Sequence, residues 1–192
     1  MLDIWRTFVR SKAGVVGLIM ILLIVAAGLF APLLTPYSPI EPNLSEALLP
    51  PSADHWFGTD DVGRDIFSGV VWGARTSMLI ALATVVASTL IGLVVGMAAG
   101  YFGGWIDSVL SRMIEVFLSI PAFLFAILIL AMLGASTTNI VIALTVTFWP
   151  ISARLVRGEF IRLKERLFVE AARMVGVRPL AIMLREILPS AL

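Results

Sequence analysis

Thr76 to Ile106, TSMLIALATVVASTLIGLVVGMAAGYFGGWI, runs for 31 residues without Asp, Glu, Lys or Arg. A helix rises about 1.5 Å per residue, so roughly 20 such residues cross the ~30 Å hydrocarbon core of a bilayer. The crossing lies between about Ser77 and Gly100. Within it Ser88, Gly92, Gly96, Gly100 and Gly104 recur every four residues. That spacing lays a smooth stripe along one side of a helix, at least through Gly100, where a second backbone approaches closely. Tyr101 to Trp105 follows as an interfacial turn, with Tyr and Trp at headgroup depth.

The composition extends the same reading to the whole chain. Of 192 residues, 59% are apolar and 14% charged, and the mean hydropathy is +1.01. A soluble domain of this size needs far more polar surface, so the chain belongs among membrane proteins. It contains no cysteine, which removes disulfides and thiolate metal sites from consideration.

Upstream, Ala13 to Ile40 is also uncharged, and Ala13 to about Leu34 predicts a first transmembrane helix. A signal peptide is the competing reading. The run exceeds an ordinary signal core, ends at Pro32-Leu33-Leu34 without a small-residue cleavage site, and is followed by further spans. Before it, Ile4, Trp5, Phe8 and Val9 alternate with Arg6, Arg10 and Lys12 as in an interfacial helix. Residues 35–75 carry Pro36, Pro39, Pro42, Pro50 and Pro51 and are too polar and broken to span. A turn is expected at Gly58-Thr59-Asp60, then a short surface helix over Val62 to Trp72. Asp54, His55, Asp60, Asp61 and Asp65 match no compact ligand spacing, so they read as turn residues with solvated carboxylates rather than a metal site. Arg64 with Asp65, and Arg75, read as structural pairs or headgroup contacts.

Downstream, a third helix starts near Asp107 or Ser108, with Arg112 and Glu115 close enough to pair. Pro121 bends or interrupts it before the span continues to about Leu133. Gly134 to Asn139 is a polar turn. A fourth helix runs from about Ile140 through Pro150 and grades into charge at Arg154. The expected divisions are 1–34, an interfacial segment and first span; 35–75, an external loop; 76–155, three further spans; and 156–192, a charged segment.

That last segment contains VEAARMVGVRPLAIMLREILP, Val169 to Pro189. Phe168, Ala171 or Ala172, and Val175 share a helical face. Gly176 supplies the positive φ that commonly closes a helix, and Pro179 suits the first turn of the next. Leu180, Met183 or Leu184, and Ile187 form the apolar set of that second helix. A basic amphipathic segment beside a membrane also describes an interfacial helix resting on lipid. Of the fourteen Lys and Arg residues, an inside N-terminus and four spans put twelve on the cytoplasmic side or its edge, leaving Arg64 and Arg75 outside.

Glu170-Ala171-Ala172, three residues, Gly176, then Leu188-Pro189 resembles the cytoplasmic motif of binding-protein-dependent ABC importer permeases. His55 to Asp60, Gly63-Arg64-Asp65 and Gly73 to Ser77 resemble the external segment of the dipeptide, oligopeptide and nickel branch. The likeness runs from the first helix to the last residue. It implies an all-α, polytopic helical bundle in the plasma (inner) membrane, with four transmembrane helices here and a truncation before two more. It also implies an ATPase-coupling site of Glu170, Ala171, Ala172, Gly176, Leu188 and Pro189. The external motif comprises Gly58, Thr59, Asp60, Gly63, Arg64, Asp65 and Arg75, and the helix-packing set is Ser88, Gly92, Gly96 and Gly100. Two departures from the motif are Glu186 where an aliphatic residue is usual and the end at Leu192.

The function implied is that of a permease subunit importing dipeptides or oligopeptides with a second permease subunit, two ATP-binding subunits, an extracytoplasmic substrate-binding protein and membrane lipid. ATP with magnesium resides on the partner subunits. No GxxxxGK[ST] phosphate loop occurs in this sequence. Neither a cofactor nor a metal is expected on this chain, and Ser152 has no histidine nearby in sequence to make a catalytic centre. The basic 154–185 region has a membrane-side explanation that leaves nucleic acid without a role. The internal repeats of a self-contained carrier are not evident. The alternatives are a membrane assembly or scaffold protein, and a permease for nickel or another small solute.

Overall fold

The computed structural model describes residues 8–191. The expected interfacial helix lies mostly outside that range, although residues 8–10 are helical. Six principal helices follow: α1 (Lys12–Leu29), α2 (Ala31–Leu34), α3 (Ile66–Phe102), α4 (Gly104–Ser119), α5 (Ala122–Leu133) and α6 (Thr137–Leu163). The chain divides into two compact units, Met1–Leu79 and Ile80–Leu192.

Ser11 caps α1, its hydroxyl accepting the Gly14 N–H at 3.2 Å. The first apolar run does not remain one helix to Leu34. It breaks at Phe30, because Pro32 lacks an N–H and its ring crowds the carbonyl four residues back. Thr35 ends α2 by returning its hydroxyl to the Ala31 carbonyl at 2.8 Å, and Trp72 Nε1 donates to that hydroxyl at 2.9 Å. Nearby, α1 and α3 approach at Gly28, where an added Cβ would stand 3.2 Å from Arg75 Cα.

The expected short surface helix and the second span are one continuous helix, α3, of 37 residues. Asp65 starts it, and no proline interrupts the sequence between them. At about 55 Å it is longer than a hydrocarbon core. In the second unit, Gly103 takes φ +66° and turns the chain into α4. Pro121 does more than bend the next span: α4 and α5 meet at 87°. Helix α6 is capped by Ser136, contains a buried Pro150 and continues past Arg154 to Leu163. Among the described residues, α1, α3 and α6 are long and apolar enough to cross a membrane, and the bent pair makes a fourth crossing if counted as one.

Candidate functional site

Three segments close the chain: α7 (Leu167–Met174), α8 (Pro179–Ala181) and α9 (Leu188–Ala191), the last two joined by a π-helical stretch, Ile182–Ile187. The end of α7 is a Schellman motif. Gly176 N–H donates to the Arg173 carbonyl at 3.0 Å and Val177 N–H to the Ala172 carbonyl at 3.1 Å, with Gly176 at φ +80°. Arg178 and Pro179 then start the next helix.

The buried side of this hairpin keeps Ala172, Met183 and Ile187 of the faces drawn from helical spacing and differs at the other positions. Val169 is the inward anchor of α7 with Ala172 half-buried, whereas Phe168 and Val175 are exposed. In the second segment Ile182, Met183 and Ile187 are buried while Leu180 and Leu184 are exposed. The cause is the π-helix. Five α-helical residues turn through roughly 500°, separating positions 182 and 187 by about 140°; i→i+5 closure brings such positions over one another instead. Both isoleucines are 0% exposed. They pack with Val169, Met183, Met97, Phe160 and Leu163 in one core, so the hairpin is seated on the ends of α3 and α6.

Glu170, Ala171, Gly176 and Pro189 are exposed, and Leu188 packs partly against that core. Leu167, Met174 and Val175 are 82%, 84% and 83% exposed. Positions 167, 171, 174 and 175 follow the i, i+4, i+7, i+8 pattern, so an apolar strip faces outward opposite Val169. Glu170 stands beside that strip and forms no ion pair among the described residues.

Helices α3 and α6 meet along three glycines. A Cβ on Gly92 would lie 2.5 Å from Ser152 Cβ, one on Gly96 2.5 Å from the Ala153 carbonyl oxygen, and one on Gly100 2.6 Å from Phe160 Cβ. The contacts advance along α6 as they advance along α3, so the two helices run in the same direction. Ser88 is buried and turns its hydroxyl to the Val85 carbonyl of its own helix. Gly104 has open space around it and takes no part in the seam.

One contact has no local sequence signal. Arg157 of α6 grips Asp107, in the first turn of α4, through Nε to Oδ1 at 2.5 Å and Nη2 to Oδ2 at 2.8 Å. Ser111 Oγ adds a hydrogen bond to Oδ1 at 3.0 Å. The pair is 50 residues apart in sequence, and nothing in either local pattern announces it. Arg112 and Glu115 do meet, at 3.0 Å, but both are exposed.

The expected 35–75 loop ends at Asp65, just before α3 begins, and what remains of it is tightly built. Thr59 is buried, accepts the Leu49 N–H at 2.9 Å and donates to the Glu46 carbonyl. Gly58 and Gly63 take φ +74° and +77° against the Leu49 and Asn43 backbones. Asp60 accepts from the Arg64 N–H at 2.9 Å, the Val62 N–H at 3.0 Å and Arg64 Nε at 2.7 Å. Arg64 therefore pairs with Asp60 and not with its neighbour Asp65. Nor is Asp65 solvated: it is 5% exposed, accepts the Ser68 N–H at 2.7 Å and lies 3.0 Å from His55 Nδ1. Arg75 stacks over the Trp72 ring at 5.2 Å.

Asp60 is held below the ordinary carboxylate range chiefly by the Arg64 N–H, with the Arg64 side chain adding to it. Burial pushes Asp65 up, but hydrogen bonds from Ser68 and then His55 more than offset that and leave it lowered. An ionised Asp65 has no proton to give, so His55 Nδ1 carries the hydrogen between them.

Residues 92–192 match the family described as binding-protein-dependent transport system inner membrane component, and residues 1–51 match the N-terminal TM domain of oligopeptide transport permease C. The chain is 38% identical over 190 residues to a dipeptide transport system permease protein of Bacillus subtilis, covering 99% of this chain and 59% of that one. It is 42% identical to a dipeptide permease protein of Alkalihalophilus pseudofirmus, with 99% and 62% covered. Against an oligopeptide transport system permease protein of Bacillus subtilis it is 38% identical, covering 100% of this chain and 64% of the relative. The chain thus spans about three-fifths of these relatives' lengths.

Proposed function

Because the chain belongs to the binding-protein-dependent transport system inner membrane component family, we propose that it acts as a transmembrane subunit of an ATP-driven importer of dipeptides or oligopeptides. ATP and magnesium are held by two separate ATP-binding subunits, one of which docks on the hairpin of residues 169–189. A second permease subunit completes the pathway, and an extracytoplasmic binding protein delivers substrate to the side bearing residues 35–75. The N-terminus and the hairpin lie on the cytoplasmic side of the plasma membrane.

The outward apolar strip of α7 carries this reading. Leu167, Met174 and Val175 are among the most exposed apolar side chains of the second unit, yet the helix that bears them is fixed from behind by a fully buried Val169. A rigid helix with one face packed and the other offered matches a helix-in-groove contact. The dipeptide and oligopeptide transport names of the relatives favour a peptide substrate over nickel and a transport role over a scaffold.

The test is recovery of the ATP-binding subunits with the membrane-embedded chain. Met174→Asp is expected to lower that recovery roughly tenfold or more, the scale of a hot-spot loss, at an unchanged membrane level. Leu44→Ser, at a 75% exposed apolar position in the loop, serves as control. Undiminished recovery with M174D would remove the docking assignment and leave α7 as a lipid-facing surface helix.

A further inference from the structure

We propose that Asp107 and Arg157 are positioning residues that bind α4 to the end of α6, so that movement of the hairpin reaches the bent α4–α5 pair instead of stopping at α6. The inference rests on the docking reading above and goes beyond it.

Arg157 and Phe160 are one turn apart on α6 and face different tasks. Phe160 is 0% exposed and shares a core with Val169, Ile182 and Ile187, so the hairpin cannot shift without pressing on it. Arg157 makes the bidentate contact to Asp107. Two parallel N–H···O bonds fix orientation as well as distance, which a single lysine contact would not. Gly100 holds the third side: its Cα faces Phe160 Cβ and the Arg157 carbonyl so closely that a Cβ would stand 2.6 and 2.8 Å from them. The end of α6 is therefore clasped by α3, by the hairpin and by the first turn of α4.

Asp107 also sits where α4 begins, immediately after the Gly103 turn, and its partner is on another helix. Farther along, α4 also packs on α6 through buried Ile114 against Trp149 and Ala153, with Phe117 edge-on to Trp149 at 5.2 Å, so the Asp107–Arg157 pair is the polar contact that fixes the first turn of a helix already seated on α6. The 87° junction at Pro121 lies at the far end of the same helix. With its middle packed on α6 and its first turn clamped at Asp107, α4 follows the end of α6 as a rigid body and swings that junction; with Asp107 released, the first turn no longer follows Arg157.

The experiment uses the membrane-embedded chain with its ATP-binding and second permease subunits, comparing Asp107→Asn, Arg157→Lys and the cysteine pair D107C/R157C. Recovery of the ATP-binding subunits is expected to stay at the wild-type level in all of them. Substrate-stimulated ATP hydrolysis falls roughly tenfold, within the usual range of coupling between sites, while basal hydrolysis is retained. A short bifunctional thiol reagent spanning D107C and R157C restores stimulation in a chain that has no other cysteine. Wild-type stimulation in both D107N and R157K overturns the inference, as does cross-linking that leaves stimulation abolished. Loss of recovery in M174D with normal recovery in D107N separates docking from clamping. Failure of the wild-type chain to recover any ATP-binding subunit removes both.

Discussion

Gly96 lies directly against the main chain of Ala153: a Cβ built on it would stand 2.5 Å from the Ala153 carbonyl oxygen and 2.8 Å from Val156 Cβ. Backbone cannot yield as the end of a flexible side chain does. Gly96→Leu is therefore expected to separate α3 from α6 and cost about 1–3 kcal/mol or more, the range for overpacking a close contact. Val94→Leu, at a position 63% exposed, is milder. Thermal unfolding in detergent distinguishes them, and equal midpoints for G96L and wild type would show that the seam does not form.

The orientation proposed for the chain follows from the placement of its basic residues and is open to direct labelling. Cysteines placed singly at Ser45, Ala135 and Ser190 occupy exposed positions. Ala135 is preferable to its neighbour because Ser136 caps α6 by accepting the Asn139 N–H at 3.1 Å. An impermeant thiol reagent applied to intact cells is expected to label positions 45 and 135 and to spare 190. Labelling of S190C from outside would place the hairpin on the wrong side for ATP-binding subunits.

The loop of residues 35–65 depends on ionised carboxylates. Asp60 and Asp65 both have lowered values in the fold. Their contribution is present above the unfolded value, about 3.9, and is lost as pH falls through the lower folded values. Protease resistance of this loop should hold through neutral and mildly acid pH and collapse below about pH 4. Asp65→Asn keeps a capping residue but weakens the bond with His55. It is expected to cost about 1–3 kcal/mol at neutral pH and to flatten the acid dependence. An unaltered acid profile in D65N would mean that Asp65 is not a titrating support of the loop.

Much of the architecture is legible because lipid imposes simple rules on sequence. Uncharged runs mark α1, α3 and α6, and Pro121 marks the break between α4 and α5. Local spacing fails where the helix changes period: the buried pair Ile182 and Ile187 is invisible to a 3.6-residue pattern. It fails also where neighbours in sequence diverge in space, as Arg64 turns back to Asp60 while Asp65 turns inward to His55 and Ser68. Contacts such as Asp107 with Arg157 depend on how two helices are brought together, and no single helix contains that information. The glycine spacing announces a smooth face, but its occupant, Ser152 to Phe160, comes only from the fold.

Gly176 offers a separate way to test the hairpin, because its constraint is conformational and not steric. It stands at φ +80° with nothing within 4 Å of an added Cβ, so a side chain there meets open space and an unfavourable backbone. Gly176→Ala should cost about 1–2 kcal/mol, the penalty for a left-handed residue bearing a Cβ. Gly176→Val should cost more, since a β-branched residue at positive φ is a severe outlier. Either substitution strains the two Schellman hydrogen bonds to Arg173 and Ala172 and redirects the chain before Pro179. Gly176→Asn, which tolerates this region, is the control that separates backbone strain from side-chain size. The expected order of ATP-binding-subunit recovery at matched membrane levels is wild type, then Asn, Ala and Val. If Val equals wild type, the bend is not held in place for docking; if Asn is as poor as Val, the surface at 176 must itself be bare to admit the partner.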